Sequence, residues 1–175
     1  MHELNNSWVI WYHNPNNNDW DIKSYINVYE INNLTDLCKF TNSREHLPSL
    51  SRSMYFVMRK KNEYEYIYPM WEDSNNIKGG CWSFKIPNTE IEKVWETLLY
   101  YLLGENLGNN EKNSLQFNGL SFSPKKNFSI VKIWNNNSEI KNLQEIINLE
   151  LNNIFDTTDC FYSSHISNIE KDKKK

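Results

Sequence analysis

A chain of 175 residues and 21.0 kDa is enough for one hydrophobic core and too little for two, which predicts a single domain over residues 1–168 and a disordered lysine-rich tail over 169–175. The formal charge of -3 and pI near 5.8 exclude the broad basic surface that general nucleic-acid binding relies on, so any RNA contact must be local. No apolar run reaches the roughly 18–20 residues of a membrane span and no basic-then-apolar leader opens the chain, so a soluble cytoplasmic monomer without membrane contacts is expected.

In chain order, Trp8 to Tyr12 is an aromatic and β-branched run that predicts a strand ending in the polar loop His13-Asn14-Pro15-Asn16. Tyr25 to Glu30 alternates as a second strand, and Leu34, Leu37 and Cys38 have helical spacing. Met54 to Arg59 and Tyr64 to Tyr68 read as a hairpin around Lys60-Lys61-Asn62-Glu63. Gly79-Gly80 marks a turn before a strand from Trp82 to Ile86. The clearest helix carries Ile91, Val94, Trp95, Leu98, Leu99, Leu102 and Leu103 on one face, with Thr89 and Glu92 as a capping box and Gly104 at its end. Leu120 to Ser123 and Ile130 to Trp134 are strands joined by Pro124-Lys125-Lys126-Asn127. A third helix is expected from Ser138, burying Ile140, Leu143, Ile147 and Leu151, and Cys160 to His165 is expected as a last edge strand. Eight strands in blocks separated by three helices describe an antiparallel α+β domain.

The 28 asparagines, about one residue in six, read as the codon bias of an A/T-rich genome placed in loops. Cys38, Cys81 and Cys160 are odd in number and lack a Cys-x-x-Cys pair, so neither a disulfide framework nor a zinc site is suggested, and no cofactor is expected. Helices bearing several carboxylates for Mg²⁺ are lacking, and His2, His13, His46 and His165 are scattered, which argues against an enzyme.

The chemistry that remains is carried by Tyr68-Pro69-Met70-Trp71-Glu72-Asp73. An indole offers a face on which a base stacks, and an adjacent carboxylate accepts hydrogen bonds from the ring N–H and exocyclic amine of guanine. Trp20 lies in a polar loop where core packing is an unlikely fate, so the two indoles would sandwich one base. A methylated, cationic guanine gains cation–π attraction of about 0.5–2 kcal/mol per face. Trp8, Trp11, Trp82 and Trp95 read as core residues, whereas Trp134 at a strand end fits packing and binding equally. Without other support, Lys125-Lys126 is a charged turn.

The ordered set Trp8-x-x-Trp11, Trp20, Met70-Trp71-Glu72-Asp73, Gly79-Gly80-Cys81-Trp82, Trp95, Gly104-Glu105 and Ile133-Trp134 resembles the eukaryotic translation initiation factor 4E family of mRNA cap-binding proteins. The resemblance implies a curved antiparallel sheet backed on its convex face by three helices, with the 7-methylguanosine cap of mRNA held on the concave side. It implies that Trp20 and Trp71 sandwich the base, Glu72 reads its edge, Trp134 lies against the methyl group and Lys125 holds phosphate with help from Lys126. Family phosphate-binding positions fall at Ile130 and Asn127, and an arginine position falls at Cys81. Period two puts Lys132 on the face of Ile130 and Trp134, where it is expected to supply the missing charge. On the back, His2, Leu4, Leu34, Leu99 and Gly104 match a surface for a scaffold-type initiation factor or a dedicated partner peptide, but Cys38 replaces its central tryptophan. That replacement leaves two roles: cap-dependent translation initiation, or cap sequestration by a repressor that lacks normal scaffold binding.

Overall fold

The computed structural model describes residues 2–174. Seven strands form one antiparallel sheet: β1 (Glu3–His13), β2 (Tyr25–Asn33), β3 (Met54–Arg59), β4 (Gly80–Pro87), β5 (Phe117–Pro124), β6 (Phe128–Asn135) and β7 (Phe161–Ser164). Their spatial order is β2-β1-β3-β5-β6-β4-β7. The helices are α1 (Leu34–Ser43), α2 (Ile91–Leu103), the single turn α3 (Glu111–Ser114) and α4 (His165–Asp172).

Apolar residues occupy both faces of the sheet, and strand periodicity separates them. On one face Trp8, Ile10, Tyr55, Val57, Leu120, Phe122, Val131 and Ile133 join Phe40 of α1 and the apolar stripe of α2 in the main core. Their neighbours Val9, Trp11, Phe56, Met58 and Trp134 point the other way into a second, smaller cluster, where Tyr68, Met70 and Trp71 cover them. The register Trp8↔Arg59, Ile10↔Val57 and Val57↔Leu120 keeps the two sets apart across three strands, because a one-residue slip would exchange the faces. Trp8, Trp11, Trp82 and Trp95 are buried, as the pattern predicts.

All seven apolar residues of the expected α2 stripe are buried, but the capping box does not form. The Glu90 amide donates to the Pro87 carbonyl, a turn that makes Glu90 the cap and leaves Thr89 one position too early. At the other end Gly104 caps the helix, and the left-handed conformation falls on Glu105, with φ of 54°. Its carboxylate grips Arg59 through two contacts of 2.6 and 3.0 Å, and the guanidinium lies 4.4 Å from the centre of the Trp8 ring. This buried pair is the anchor that offsets the backbone cost at Glu105.

Three expectations require correction. Tyr64 to Tyr68 is not a strand: β3 already pairs with β1 and β5, so only a single bridge, Lys60↔Tyr66, is left for it. That accounts for seven strands instead of eight. Residues 138–151 hold no α-helix but two 3₁₀ turns, Leu143–Glu145 and Leu149–Asn153. The side chains of Asn142 and Asn148 accept from the Gln144 and Glu150 amides and restart the chain at each, although Leu143, Ile147 and Leu151 are buried as expected. Finally, the segment expected to be a disordered tail from residue 169 continues α4 as far as Asp172, capped at its start by Ser164, whose hydroxyl accepts from the Ser167 amide. Lys175 lies outside the described residues. The third long helix is therefore α4, and it reaches the slot side of the sheet instead of the back.

Candidate functional site

The second face of the sheet opens into a cavity of about 710 Å³, lined by Trp20, Trp71, Glu72, Trp134 and Lys132 together with Tyr25, Phe56, Ser121 and Ser123. Its floor is β5 and β6, where Ser121 pairs with Lys132 and Ser123 with Ile130. Period two brings Ile130, Lys132 and Trp134 to this face while Val131 and Ile133 enter the main core. Trp134 is only 2% exposed, its indole N–H donating to the Ser121 hydroxyl at 3.0 Å and its ring packed 4.7 Å from His165.

One wall is Trp71, and buried asparagines hold it in place. The Asn76 side-chain amide donates to the carbonyls of Tyr68 (2.8 Å) and Met70 (2.9 Å), and Asn118 donates to the Asn76 side-chain oxygen and the Asn75 carbonyl. Asp73 closes the turn by accepting from the Tyr68 and Asn75 amides. Trp71 and Glu72 are thus displayed on a loop whose backbone polar groups are satisfied from inside.

Trp20, 49% exposed, also lines the cavity. Asn14, Asn17 and Asp19 each accept an amide two residues on, folding the loop into successive Asx turns. His13, fully buried at the end of β1, stacks parallel to the Trp20 ring at 4.2 Å with an interplanar angle of 1°. Its Nε2–H donates to the Asp19 carbonyl at 2.8 Å, tying the stack to the loop. Beyond Trp20, Tyr25 packs edge-on to Phe56. Burial, and secondarily the nearby Glu72 carboxylate, push the Tyr25 phenol well above its usual range. Glu72 itself lines the cavity beside Trp71.

The structure therefore brings Trp20, Trp71, Glu72, Trp134 and Lys132 together. Lys125 and Lys126 are exposed in the β5–β6 turn beyond Ser123 and do not line the cavity. Cys81 is buried beneath it, and burial raises its thiol pKa. On the back, the His2 carbonyl accepts from the Leu34 amide at 3.0 Å, Leu34 and Cys38 are exposed on α1, Leu4 is half-buried and Gly104 is exposed at the end of α2. Leu99 is a correction: at 2% exposure it belongs to the core, and its neighbour Tyr100 faces outward. The supporting roles of His13, Asn76, Asn118 and His165 are missing from the sequence reading. Only the placement of His13 directly before the polar loop offered a signal.

The model of the eukaryotic initiation factor 4E family matches residues 3–175. The chain belongs to that family. Among curated relatives, eukaryotic translation initiation factor 4E-2 of Schizosaccharomyces pombe is 24% identical over 173 residues, covering 94% of this chain and 67% of that protein. Eukaryotic translation initiation factor 4E of Candida glabrata is 28% identical over 152 residues, covering 83% of this chain and 68% of its own length. The fold is that of solved 4E structures. A C. elegans 4E-3 in complex with the 4E-binding protein Mextli and a cap analogue superposes with a TM-score of 0.77 at 22% identity, covering 99% of this chain and 96% of that one. An Ascaris suum 4E-3 with an m2,2,7G cap gives 0.76 at 23% identity, covering 94% and 91%. In this member of the 4E family, the Trp20 and Trp71 loops that line the cavity are fastened to the end of β1 and to Asn76.

Proposed function

We propose that this chain binds the 7-methylguanosine cap of mRNA between Trp20 and Trp71 and acts in cap-dependent translation initiation. One observation carries the reading: two indoles, a carboxylate and a buried tryptophan, from three separate segments of the chain, line one cavity on one face of the sheet. The base stacks between Trp20 and Trp71, and each stacked face is worth about 1–3 kcal/mol. Glu72 accepts hydrogen bonds from the base's N–H groups. Trp134 meets the methyl group on the slot floor. Asp19, Asp21 and Glu72 on the lining add attraction for a ring that carries positive charge, which is how methylated guanine is told from unmethylated. From there the phosphates run along β5 and β6, past Lys132 toward Lys125 and Lys126.

Titration of the intrinsic tryptophan fluorescence with 7-methyl-GTP and with GTP tests the reading. Quenching by the methylated nucleotide at 10-fold or lower concentration than by GTP is expected. Equal response to both would end it.

The exposed Cys38 favours a second reading for the back surface. With Leu34 exposed one helical turn away and Leu99 withdrawn into the core, this face offers a peptide a different set of anchors from the expected one. Loss of a tryptophan anchor costs about 2 kcal/mol or more, so a dedicated partner or a cap-sequestering repressor is the alternative to ordinary scaffold recruitment. Affinity purification on a cap resin separates the two by whether a ribosome-recruiting scaffold is retained.

A further inference from the structure

Lys132 is half-buried on β6 and lines the cavity. It pairs across the sheet with Ser121 of β5 and Ser83 of β4, at the level of the slot floor. Its ammonium lies 5.9 Å from the centre of the Trp71 ring, within the range of cation–π attraction. Lys132 shares the cavity lining with the carboxylates of Asp19, Asp21, Glu72 and Asp172. The charge is felt locally: it acts against protonation of His165 and favours the thiolate of Cys81. A positive charge therefore rests against the indole that a cationic base needs.

Building on the cap-binding reading, we propose that Lys132 is a displaceable occupant of the base wall, so that the slot accepts 7-methylguanine well only when the base brings phosphate with it. A bare nucleoside must push the ammonium off Trp71 and then leaves two positive charges in one cavity. A nucleotide gives the ammonium a phosphate oxygen to bind, converting a repulsion into a charge-assisted hydrogen bond. Lys132 thus sets the difference in affinity between nucleoside and nucleotide, and its removal acts on the two with opposite sign.

The test is fluorescence titration of the unaltered protein, Lys132→Met and Lys132→Gln with 7-methylguanosine and with its 5′-triphosphate. In both variants the nucleoside should bind about two- to fivefold more tightly, because the competing cation is gone. The triphosphate should bind about tenfold more weakly, from loss of one charged hydrogen bond. The ratio of the two constants is decisive, since a merely structural role for Lys132 would shift both ligands alike. Should Lys132→Met fail to melt cooperatively, Lys132→Gln, which keeps a polar head on a half-buried strand position, gives the answer. A ratio that stays within twofold of the unaltered protein, or a nucleoside affinity that falls with that of the triphosphate, overturns the proposal. If the unaltered protein binds neither ligand, the cap-binding reading fails first; if it binds both and the ratio does not move, only the role of Lys132 fails.

Discussion

The two ends of the proposed slot, one for the base and one for the phosphates, are built differently. At the base end every wall is fastened to something buried: Trp20 to His13, Trp71 to Asn76, Trp134 to Ser121 and His165. At the phosphate end Lys125 and Lys126 stand exposed in a turn, and the residue between them and Lys132 on the slot face is the apolar Ile130. A flat, directional partner such as a base needs walls held in one geometry, whereas a polyphosphate, flexible and multiply charged, is satisfied by mobile ammonium groups. Preorganisation has been spent where shape is read. It follows that the base end should be sensitive to pH and to remote substitutions, and the phosphate end tolerant.

The largest expected effect is on the floor. His165 is fully buried with both ring nitrogens unpartnered, and burial, helped by Lys132, lowers its pKa from 6.5 to about 4. Above pH 6.5 the imidazole is neutral in both folded and unfolded chains and stability does not depend on it. As pH falls from 6.5 toward 4 the unfolded chain takes up a proton that the folded chain refuses, so stability drops, by about 3 kcal/mol in total. His165→Phe keeps a ring against Trp134 and should remove this part of the pH dependence. Denaturant melts of the two proteins between pH 7 and 4 measure it; parallel curves would show that the floor does not rest on a neutral His165.

Asn76→Ala comes next. Asn76 is fully buried, and the substitution strips partners from the Tyr68 and Met70 carbonyls and from Asn118, for about 2 kcal/mol of stability. Affinity for 7-methyl-GTP should fall with it, because Trp71 is displayed by that turn. An unchanged affinity in a destabilised protein would mean that the wall is set by its packing on Met70 and Trp11 and not by the asparagine.

Much of this molecule could be read from its residues, and the failures have one origin. Aromatic and β-branched runs located all seven strands, the α2 stripe was right at every position, and Trp20, Trp71, Glu72, Trp134 and Lys132 line one cavity. Asparagine misled. Treated as a compositional bias, it hid Asn76 and Asn118 behind the Trp71 loop, the Asx turns that shape the Trp20 loop, and the caps at Asn142 and Asn148 that replace a helix with two 3₁₀ turns. In a chain where one residue type is this frequent, its structural uses cannot be separated from filler by local pattern, since what distinguishes them is burial and partners brought from elsewhere. The position of α4 escaped for a related reason. Its lysines suggested solvent, while the contact that fixes it, His165 on Trp134, joins residues 31 apart in sequence.

The smallest expected effect is at the other end of the slot. Lys125 and Lys126 are exposed, and the turn that carries them is held through its backbone, the Lys125 amide donating to the Phe128 carbonyl at 2.7 Å and the Lys126 carbonyl accepting from the Asn88 side-chain amide at 3.5 Å. Replacing either lysine by alanine leaves those bonds in place, so folding should be unaffected. The lost attraction acts through water and salt, which limits it to about twofold to fivefold in affinity for 7-methyl-GTP at low ionic strength and less as salt rises. The same substitutions should leave binding of the 7-methylguanosine nucleoside untouched. A loss of tenfold or more for a single lysine would mean that the turn closes over the phosphates on binding, and that the phosphate end, too, acquires a fixed geometry once the ligand is present.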